Sequence, residues 1–316
     1  MGTLSRPRRG SLQFWPRKRA RKVLPSVNWK PIKSDSKSIL GFITYKAGMS
    51  TAIVKDKTEK SMTLNKSIVL PVTILEAPNM KIFSVRFYLN GLAKKDVVVS
   101  LDKILKKLVK VPVSLKNFDS EIPENYDNMR VIVYSLPSQT AVKKTPDMIE
   151  LAISGNKEEQ LSFVKSFIGK EISVFDFIDK HKMLDVRALT TGRGMQGPVK
   201  RFGIRLRHHK SEKGVRKVGS IAPWHPARVT FRTPMAGQLG YFTRVHYNLP
   251  VVTSGKIQDK NINPKQGFKN YGNVKSNYIV LKGSVQGPVK RQVLLTSSIR
   301  PSKAQKKHKF EFQELI

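Results

Sequence analysis

Three glycines near the middle of the chain have the spacing of a nucleotide-binding motif. Gly192, Gly194 and Gly197 stand in the run TGRGMQG, which satisfies the pattern Gly-x-Gly-x-x-Gly. In a dinucleotide-binding fold these glycines open a helix, and an acid follows about 20 residues later to bind the ribose. Here Pro198 follows at once, and the nearest acid, Glu212, lies among basic residues. The motif therefore does not predict a cofactor site; such glycines instead let the backbone approach a ligand closely.

The histidines do not indicate a metal or catalytic site either. His208 and His209 are adjacent, which is poor geometry for two ligands of one ion, and His225 and His246 have no carboxylate nearby in sequence. The chain contains no cysteine, which excludes disulfides, thiolate zinc sites and cysteine nucleophiles. We therefore expect no resident metal and no cofactor, and we predict that the protein is not an enzyme.

The net charge is the most informative property of the composition. The 316 residues include 59 Lys and Arg against 22 Asp and Glu, a formal charge of +37. Like charges in such excess repel one another and oppose a compact fold unless a polyanion neutralises them. Nucleic acid is the leading candidate, and an anionic membrane surface is the second. No apolar stretch approaches the roughly 18 to 20 residues that span a bilayer, and the N-terminus lacks the apolar segment of a secretory signal.

The charge is concentrated in two parts of the chain. Residues 1–33 hold ten Lys or Arg and no acid, with Phe14, Trp15 and Trp29 interleaved and four prolines that prevent a long helix. This segment is either a disordered basic tail or an extended arm that follows phosphates and stacks its aromatic rings on bases. Residues 186–310 contain only the acids Glu212 and Asp259.

Two features of the basic region are predicted to meet the polyanion. The hexapeptide QGPVKR occurs at 196–201 and again at 286–291; in both copies Gly-Pro is expected to stiffen the entrance to a strand, with Lys-Arg meeting phosphate. The segment SIAPWHPARVTF places Trp224 and His225 between two prolines. Trp224 is either a core residue or a loop tip that stacks on an unpaired base, and the flanking basic residues favour the tip.

Short apolar segments separated by Gly and Pro predict that the fold is mainly β. Strands are expected in SILGFITYKAG and SIVLPVTILEAP, and later in VRALTT, RFGIRLR, RVTF, GYFTRVHYN, YIVLKGSV and RQVLLT. Between these two groups, residues 77–185 carry balanced charge and form an α/β insertion. There MRVIVYSLP is expected to be a strand and LDKILKKL a helix; Asn156 is expected to begin a helix that Gly169 ends, and Ser173 to begin the next helix. The chain is thus read as one β-barrel interrupted by an α/β insertion.

Several long motifs, in order, resemble those of one family. RPRRGSLQFWPRKRA, GRGMQGPVKRFGIRLRHHK, SIAPWHPARV, PMAGQLGYFTRVHYN, INPKQGFKNYG and LKGSVQGPVKR look like large-subunit ribosomal protein L3 in its archaeal and eukaryotic form, with a length similar to archaeal members. The resemblance implies a six-stranded translation-factor-like β-barrel, an α/β insertion, a long basic N-terminal arm and a long central loop. The resemblance divides this chain into an N-terminal extension at 1–35, a barrel at 36–76 and 186–298, an insertion at 77–185 and a C-terminal tail at 299–316. The RNA-reaching loop of the barrel is expected at about 193–245.

The family resemblance also implies a function and a set of partners. It implies a cytoplasmic protein of the large ribosomal subunit that binds large-subunit ribosomal RNA toward its 3′ end, supports early assembly and organises RNA near the peptidyl-transferase centre. The expected partners are that RNA, with any Mg²⁺ carried by it, and neighbouring ribosomal proteins; no membrane and no second copy of the chain is expected. The alternative is a non-ribosomal basic nucleic-acid-binding protein. The residues predicted to contact RNA are Arg8, Arg9, Phe14, Trp15, Arg17, Lys18, Arg19, Arg193, Gln196, Gly197, Lys200, Arg201, Arg205, Arg207, His208, His209, Lys213, Arg216, Lys217, Trp224, His225, Arg228, Gln238, Arg244, Lys290 and Arg291.

Overall fold

The protein is divided into two compact units. A computed structural model describes residues 9–32 and 38–316, so Arg8 lies outside the described residues. One unit, here called the arm–loop unit, consists of residues 9–23 and Leu189–Arg244; the other, the sheet unit, consists of residues 24–32, 38–188 and Val245–Ile316. Within the described residues, no helix has both the length and the apolar character needed to cross a membrane.

The structure is mainly β. The strands are β1 Gly41–Asp56, β2 Ser67–Ala77, β3 Met80–Leu89, β4 Leu92–Val98, β5 Asn128–Ser135, β6 Met148–Ala152, β7 Met183–Leu189, β8 Met195–Gln196, β9 Gly237–Gln238, β10 Thr243–Lys256, β11 Asn277–Lys282, β12 Gln292–Ser297 and β13 Phe310–Leu315. The helices are α1 Lys157–Phe167, α2 Phe175–Ile178, α3 Pro198–Phe202 and α4 Lys303–Lys306, and short 3-10 turns occupy Lys103–Lys107, Asp119–Glu121 and Pro137–Gln139.

Six strands of the largest sheet form a closed ring. The order is β12-β7-β10-β11-β2-β1-β13, and β12 also pairs with β1, which joins the two ends of the six-stranded part. Strand β1 can pair with three neighbours because it is long and changes register twice: its first half pairs with β12 and its second half with β13, while β2 runs along most of it. Register shifts of this kind bend a strand and increase its twist.

A second sheet packs on this ring through a shared apolar core. Its order is β4-β3-β5-β6, and all three pairings are antiparallel. Val85 and Val131 from this sheet belong to the same buried cluster as Ile43 and Leu75 from the ring. Burying a side chain of this size contributes roughly 1.5–3 kcal/mol. Trp29 is only 5% exposed within this cluster, so the expectation that it stacks on bases is wrong.

Most of the local predictions for the sheet unit are confirmed. The apolar segments predicted around β1, β2, β5, β7, β11 and β12 are strands, as is the later part of GYFTRVHYN. Helix α1 follows Asn156, whose backbone N–H donates to the Glu159 carboxylate at 3.1 Å, and Gly169 lies beyond its end with φ of 76°. The helix expected after Ser173 is only the single turn α2, and LDKILKKL forms a 3-10 turn instead of an α-helix.

Two predicted strands in the arm–loop unit are wrong. RFGIRLR is not extended, because Gly203 adopts a left-handed conformation with φ of 66° directly after α3. RVTF runs into a turn in which the Thr233 N–H donates to the Thr230 carbonyl at 3.1 Å. The first QGPVKR copy therefore does not open a strand at Lys200. It begins α3, since the fixed φ of Pro198 suits the first turn of a helix.

A buried carboxylate fixes a loop to β2 in the sheet unit. The Glu76 side chain is fully buried, and one of its oxygens accepts from the backbone N–H of Lys275 at 2.7 Å, the N–H of Ser276 at 3.0 Å and the hydroxyl of Ser276 at 3.1 Å. The other oxygen accepts from the Tyr271 hydroxyl. Burial, and then the negative charge of Glu76, raises the pKa of Tyr271 far above its usual range, so that this hydroxyl keeps its proton and donates.

Glu76→Ala should lower the free energy of unfolding of the whole chain by about 3 kcal/mol, since it leaves several buried donors without an acceptor. Glu76→Gln keeps one carbonyl acceptor and should cost less. Urea unfolding followed by circular dichroism measures both effects, and Glu124→Ala, at an exposed glutamate, is the control. Equal stability of Glu76→Ala and Glu124→Ala would contradict this role.

Candidate nucleic-acid interface

The arm–loop unit carries a far denser positive charge than the sheet unit. Residues 1–23 and 189–244 hold 20 Lys and Arg and one acid, Glu212, whereas the rest of the chain holds 39 and 21. Among the described residues of the unit, Leu189 and Phe202 are the only fully buried apolar side chains. The unit therefore cannot rely on a large apolar core or on internal ion pairs to oppose its own repulsion.

Arg201 links α3 to the chain segment that returns beside it. Its guanidinium donates from Nε to the Gln238 carbonyl at 3.1 Å and from Nη1 to the Met235 carbonyl at 2.5 Å, and the residue is only 9% exposed. A Cβ at Gly237 would lie 2.9 Å from Nη1, so glycine provides the space. Burial lowers the pKa of Arg201, yet an arginine keeps its charge in proteins. Arg201, predicted to meet phosphate, is thus bound to backbone oxygens of its own chain.

A second arginine fixes the N-terminal arm to α3. The Arg17 guanidinium donates to the Arg201 carbonyl at 2.9 Å and lies 4.3 Å from the centre of the Phe202 ring. Trp15 stacks on Phe202, with the ring centres 5.9 Å apart and the planes 10° from parallel, and Arg17 lies 5.2 Å from its ring as well. Trp15 and Phe231 form a T-shaped pair with ring centres 6.0 Å apart. The arm and the loop thus share a small core made of rings and guanidinium groups.

Further contacts hold the arm along the end of the loop. The Arg9 N–H donates to the Phe202 carbonyl at 2.8 Å, and the Ala20 N–H donates to the Tyr241 carbonyl at 3.0 Å. Arg244 lies over the rings of Phe14 at 4.8 Å and Phe242 at 5.2 Å. Cation–π contacts of this kind contribute about 0.5–2 kcal/mol each. The residues predicted in the arm therefore lie beside those predicted in the loop.

The rest of the loop is exposed and irregular. Residues 204–236 contain no helix or strand, and Trp224 is 87% exposed, which excludes a core role for this ring. His225 is also exposed. Arg207 closes the first part of the loop, residues 207–218: its N–H donates to the Val215 carbonyl at 2.9 Å and its guanidinium donates to the Val218 carbonyl.

Exposed cations are spread over the arm and the loop. In the part of the chain that the structure describes, none of them pairs with a carboxylate. They are Lys18, Arg19, Arg193, Lys200, Arg205, Lys210, Lys213, Arg216, Lys217 and Arg228. His208 and His209 are exposed beside each other, with their rings 4.2 Å apart. Across the described residues, no group of three His, Asp or Glu side chains is arranged to hold a metal ion. The exposed cations suit many separate phosphate contacts.

The remaining predicted residues have two kinds of position. Gln196 and Gln238 lie in the paired strands β8 and β9, where the Gln196 amide donates to the Arg193 carbonyl at 2.7 Å. Lys290 and Arg291 belong to the second QGPVKR copy in the sheet unit, directly before β12. There the Lys290 N–H donates to the Lys46 carbonyl at 2.8 Å. The second copy is thus a strand entrance as expected, and its predicted contact with phosphate stays a prediction.

Sequence reasoning missed several residues of this surface. Arg21 is exposed in the arm, and Phe231 is 67% exposed beside Arg232, whose guanidinium lies 5.6 Å from its ring. Tyr241 lies beside Arg19 and Gln238 around an open pocket. In the sequence, these missed residues lie among basic and aromatic residues, as Phe14 and Trp15 do. The same pattern would therefore have identified them.

Arg201→Lys should loosen the arm–loop unit, because an ammonium group cannot reach two carbonyls with the fixed geometry of a guanidinium. We expect the amides of Arg193 and Leu239, which bond to Leu239 and Gly194 respectively, to exchange hydrogen about tenfold faster. Lys200→Gln, at the exposed neighbour, should leave this exchange unchanged. Mass-spectrometric hydrogen exchange on the free chain measures both, and equal rates in the two variants would refute the internal role of Arg201.

The chain is similar in sequence to known proteins over nearly its whole length. The family model described as Ribosomal protein L3 matches residues 1–97 and 105–314. The chain is 38% identical over 314 residues to large ribosomal subunit protein uL3 of Methanocaldococcus jannaschii, with 94% of this chain and 92% of the relative covered. It is 41% identical over 308 residues to the protein of the same name from Methanococcus aeolicus, with 94% and 92% covered. The match spans both units and nearly the whole chain, and the protein therefore belongs to the ribosomal protein L3 family.

Proposed function

We propose that this chain is a structural protein of the large ribosomal subunit and that its arm–loop unit holds ribosomal RNA. Family membership and the name of the archaeal relatives, large ribosomal subunit protein uL3, support the ribosomal part. The observation that carries RNA binding is the arm–loop unit, with 18 Lys and Arg and one acid. A surface of this charge attracts a polyanion. The protein is not an enzyme, and it works in the cytoplasm within ribosomes.

The sheet unit acts in this proposal as the body that docks on RNA. We assign its closed ring of β1, β12, β7, β10, β11 and β2 to a six-stranded barrel of the translation-factor type. The division predicted above then applies, with the barrel at 36–76 and 186–298 and the α/β insertion at 77–185. The support is the ring closure together with a buried core that the ring shares with the second sheet.

The exposed loop acts by two kinds of contact. Its unpaired Lys and Arg neutralise phosphates, which position the protein without reading sequence. Trp224, 87% exposed at the loop tip, stacks on an unpaired base, a contact of about 1–3 kcal/mol. Loop residues 204–236, which lack regular structure, gain a fixed conformation only when RNA neutralises them.

The resemblance to ribosomal protein L3 supports the finer part of the proposal. The RNA partner is the large-subunit RNA toward its 3′ end, and the loop tip approaches the peptidyl-transferase centre, where the RNA performs catalysis. The protein joins early in assembly as a single copy beside neighbouring ribosomal proteins. It holds no cofactor of its own, and Mg²⁺ at the interface belongs to the RNA.

Sedimentation of a cell lysate tests this function. The protein should travel with large subunits in Mg²⁺ and moderate salt, and it should leave them in high salt with a chelator, since charge contacts weaken with salt. A protein that binds nucleic acid but never travels with large subunits would instead be a non-ribosomal nucleic-acid-binding protein.

Trp224→Ala should slow translation by the purified ribosomes while it changes the unfolding free energy of the free chain by less than about 0.5 kcal/mol, as expected for an exposed residue. Trp29→Ala is the matched control, because this buried tryptophan should cost roughly 3–5 kcal/mol on removal. A strong loss of stability in Trp224→Ala would show that its ring belongs to a core.

A further inference from the structure

An open pocket lies within the arm–loop unit, away from the tip with Trp224. It has a volume of about 650 Å³ and is lined by Arg19, Ala20, Arg21, Gly192, Gly194, Gln238 and Tyr241. This volume falls within the range of roughly 300–1,000 Å³ that small-molecule sites occupy. The pocket is formed by the arm on one side and by the loop on the other, so it exists only when the arm is held in place.

The contacts around the pocket give it a defined shape. The Ala20 N–H donates to the Tyr241 carbonyl at 3.0 Å, which places the arm beside that tyrosine. Gly240 has φ of 72°, and a Cβ there would lie 2.0 Å from the Thr191 carbonyl oxygen, so only glycine fits before Tyr241. A Cβ at Gly192 would lie 3.6 Å from the Tyr241 ring. The absence of side chains at Gly192 and Gly194 therefore keeps the space beside this ring open.

The chemistry of the lining selects one kind of ligand. Arg19 and Arg21 are exposed cations that suit a phosphate group, and Tyr241 supplies an aromatic ring. The Gln238 amide donates to the carbonyls of Leu239 at 3.2 Å and Gly240 at 3.0 Å, which orients it within the wall. No acidic side chain is among the described residues of the lining, so a cation is disfavoured. Two arginines for a phosphate, a tyrosine ring for a base and a glutamine amide in the wall together fit a nucleotide.

We propose that this pocket receives one unpaired nucleotide that is turned out of a ribosomal RNA helix, with its base against Tyr241 and its phosphate between Arg19 and Arg21. The proposal rests on the ribosomal function above and adds a second base contact, separate from Trp224. An unpaired base is required because a base inside a helix has no free face to offer the ring. The pocket would thus fix the arm and the loop to the same nucleotide.

Filling the pocket tests the proposal in intact large subunits. Gly192→Leu places a side chain in the pocket. The fold should tolerate it, because the backbone of Gly192 is not left-handed and its Cβ would make only van der Waals contact with Tyr241. Gly219→Leu is the matched control, since Gly219 lies in the same unit, outside the pocket, with open space at its Cβ. Tyr241→Leu removes the ring and keeps the bulk, and Tyr241→Phe keeps the ring.

Chemical probing of the RNA bases in subunits that carry each variant gives the readout. Gly192→Leu and Tyr241→Leu should both raise the reactivity of the same single nucleotide roughly fivefold or more, the effect of losing one base stack. Gly219→Leu and Tyr241→Phe should leave it at the wild-type level. If all variants are incorporated normally and Gly192→Leu changes the reactivity of no nucleotide, the pocket proposal is overturned and the ribosomal function stands.

Two other results have distinct meanings. Absence of the wild-type protein from large subunits would overturn the ribosomal function and the pocket with it. Equilibrium dialysis of the free chain with 5′-AMP, 5′-GMP, 5′-CMP and 5′-UMP tests whether the pocket binds a free nucleotide instead of one in RNA. Saturable binding that Gly192→Leu abolishes and Gly219→Leu preserves would make the pocket a site for a free metabolite and overturn the proposal.

Discussion

Positive charge without nearby carboxylates is the constraint on which the rest of the structure depends. The arm–loop unit holds 18 Lys and Arg and one acid, so ion pairs cannot organise it. Neutral groups replace them: Arg201 and Arg17 donate to backbone carbonyls, and Arg17 and Arg244 lie over aromatic rings. The carbonyl oxygens satisfy guanidinium N–H donors, the rings stabilise the cations through cation–π contacts, and neither kind of contact neutralises the charge. The unit therefore folds around its arginines while its surface stays positive for RNA.

The sheet unit is stabilised differently, by a large apolar core and by ion pairs. Its strands bury a continuous apolar cluster, and many of its surface acids pair with bases, as Arg86 does with Asp96 at 2.6 Å. Its buried carboxylate Glu76 is fully surrounded by donors and ties a loop to β2. Stability and RNA recognition are thus assigned to different parts of the chain, and a substitution in one unit is expected to affect mainly one of the two properties.

The sequence predicts the sheet unit better than the arm–loop unit, for a physical reason. Apolar alternation and capping residues act locally, so strands such as β2 and β12 and the start of α1 at Asn156 can be recognised. The first QGPVKR copy forms a helix and the second leads into a strand, since the neighbours decide which backbone partners are available. Charge density predicts where the interface lies, but it could not separate Lys200, exposed to solvent, from Arg201, bonded to its own backbone. Trp29 was misjudged in the same way, because its burial depends on distant strands.

Hydrogen exchange of the protein, free and within purified large subunits, tests the central account most directly. We expect the amides of β1, β2 and β12 to be protected equally in both states, and those of residues 204–236 to be protected only in the subunit. This result would show that the sheet unit is folded beforehand and that RNA completes the loop. Protection of residues 204–236 in the free chain at the level found in the subunit would contradict the claim that RNA charge is needed to order them.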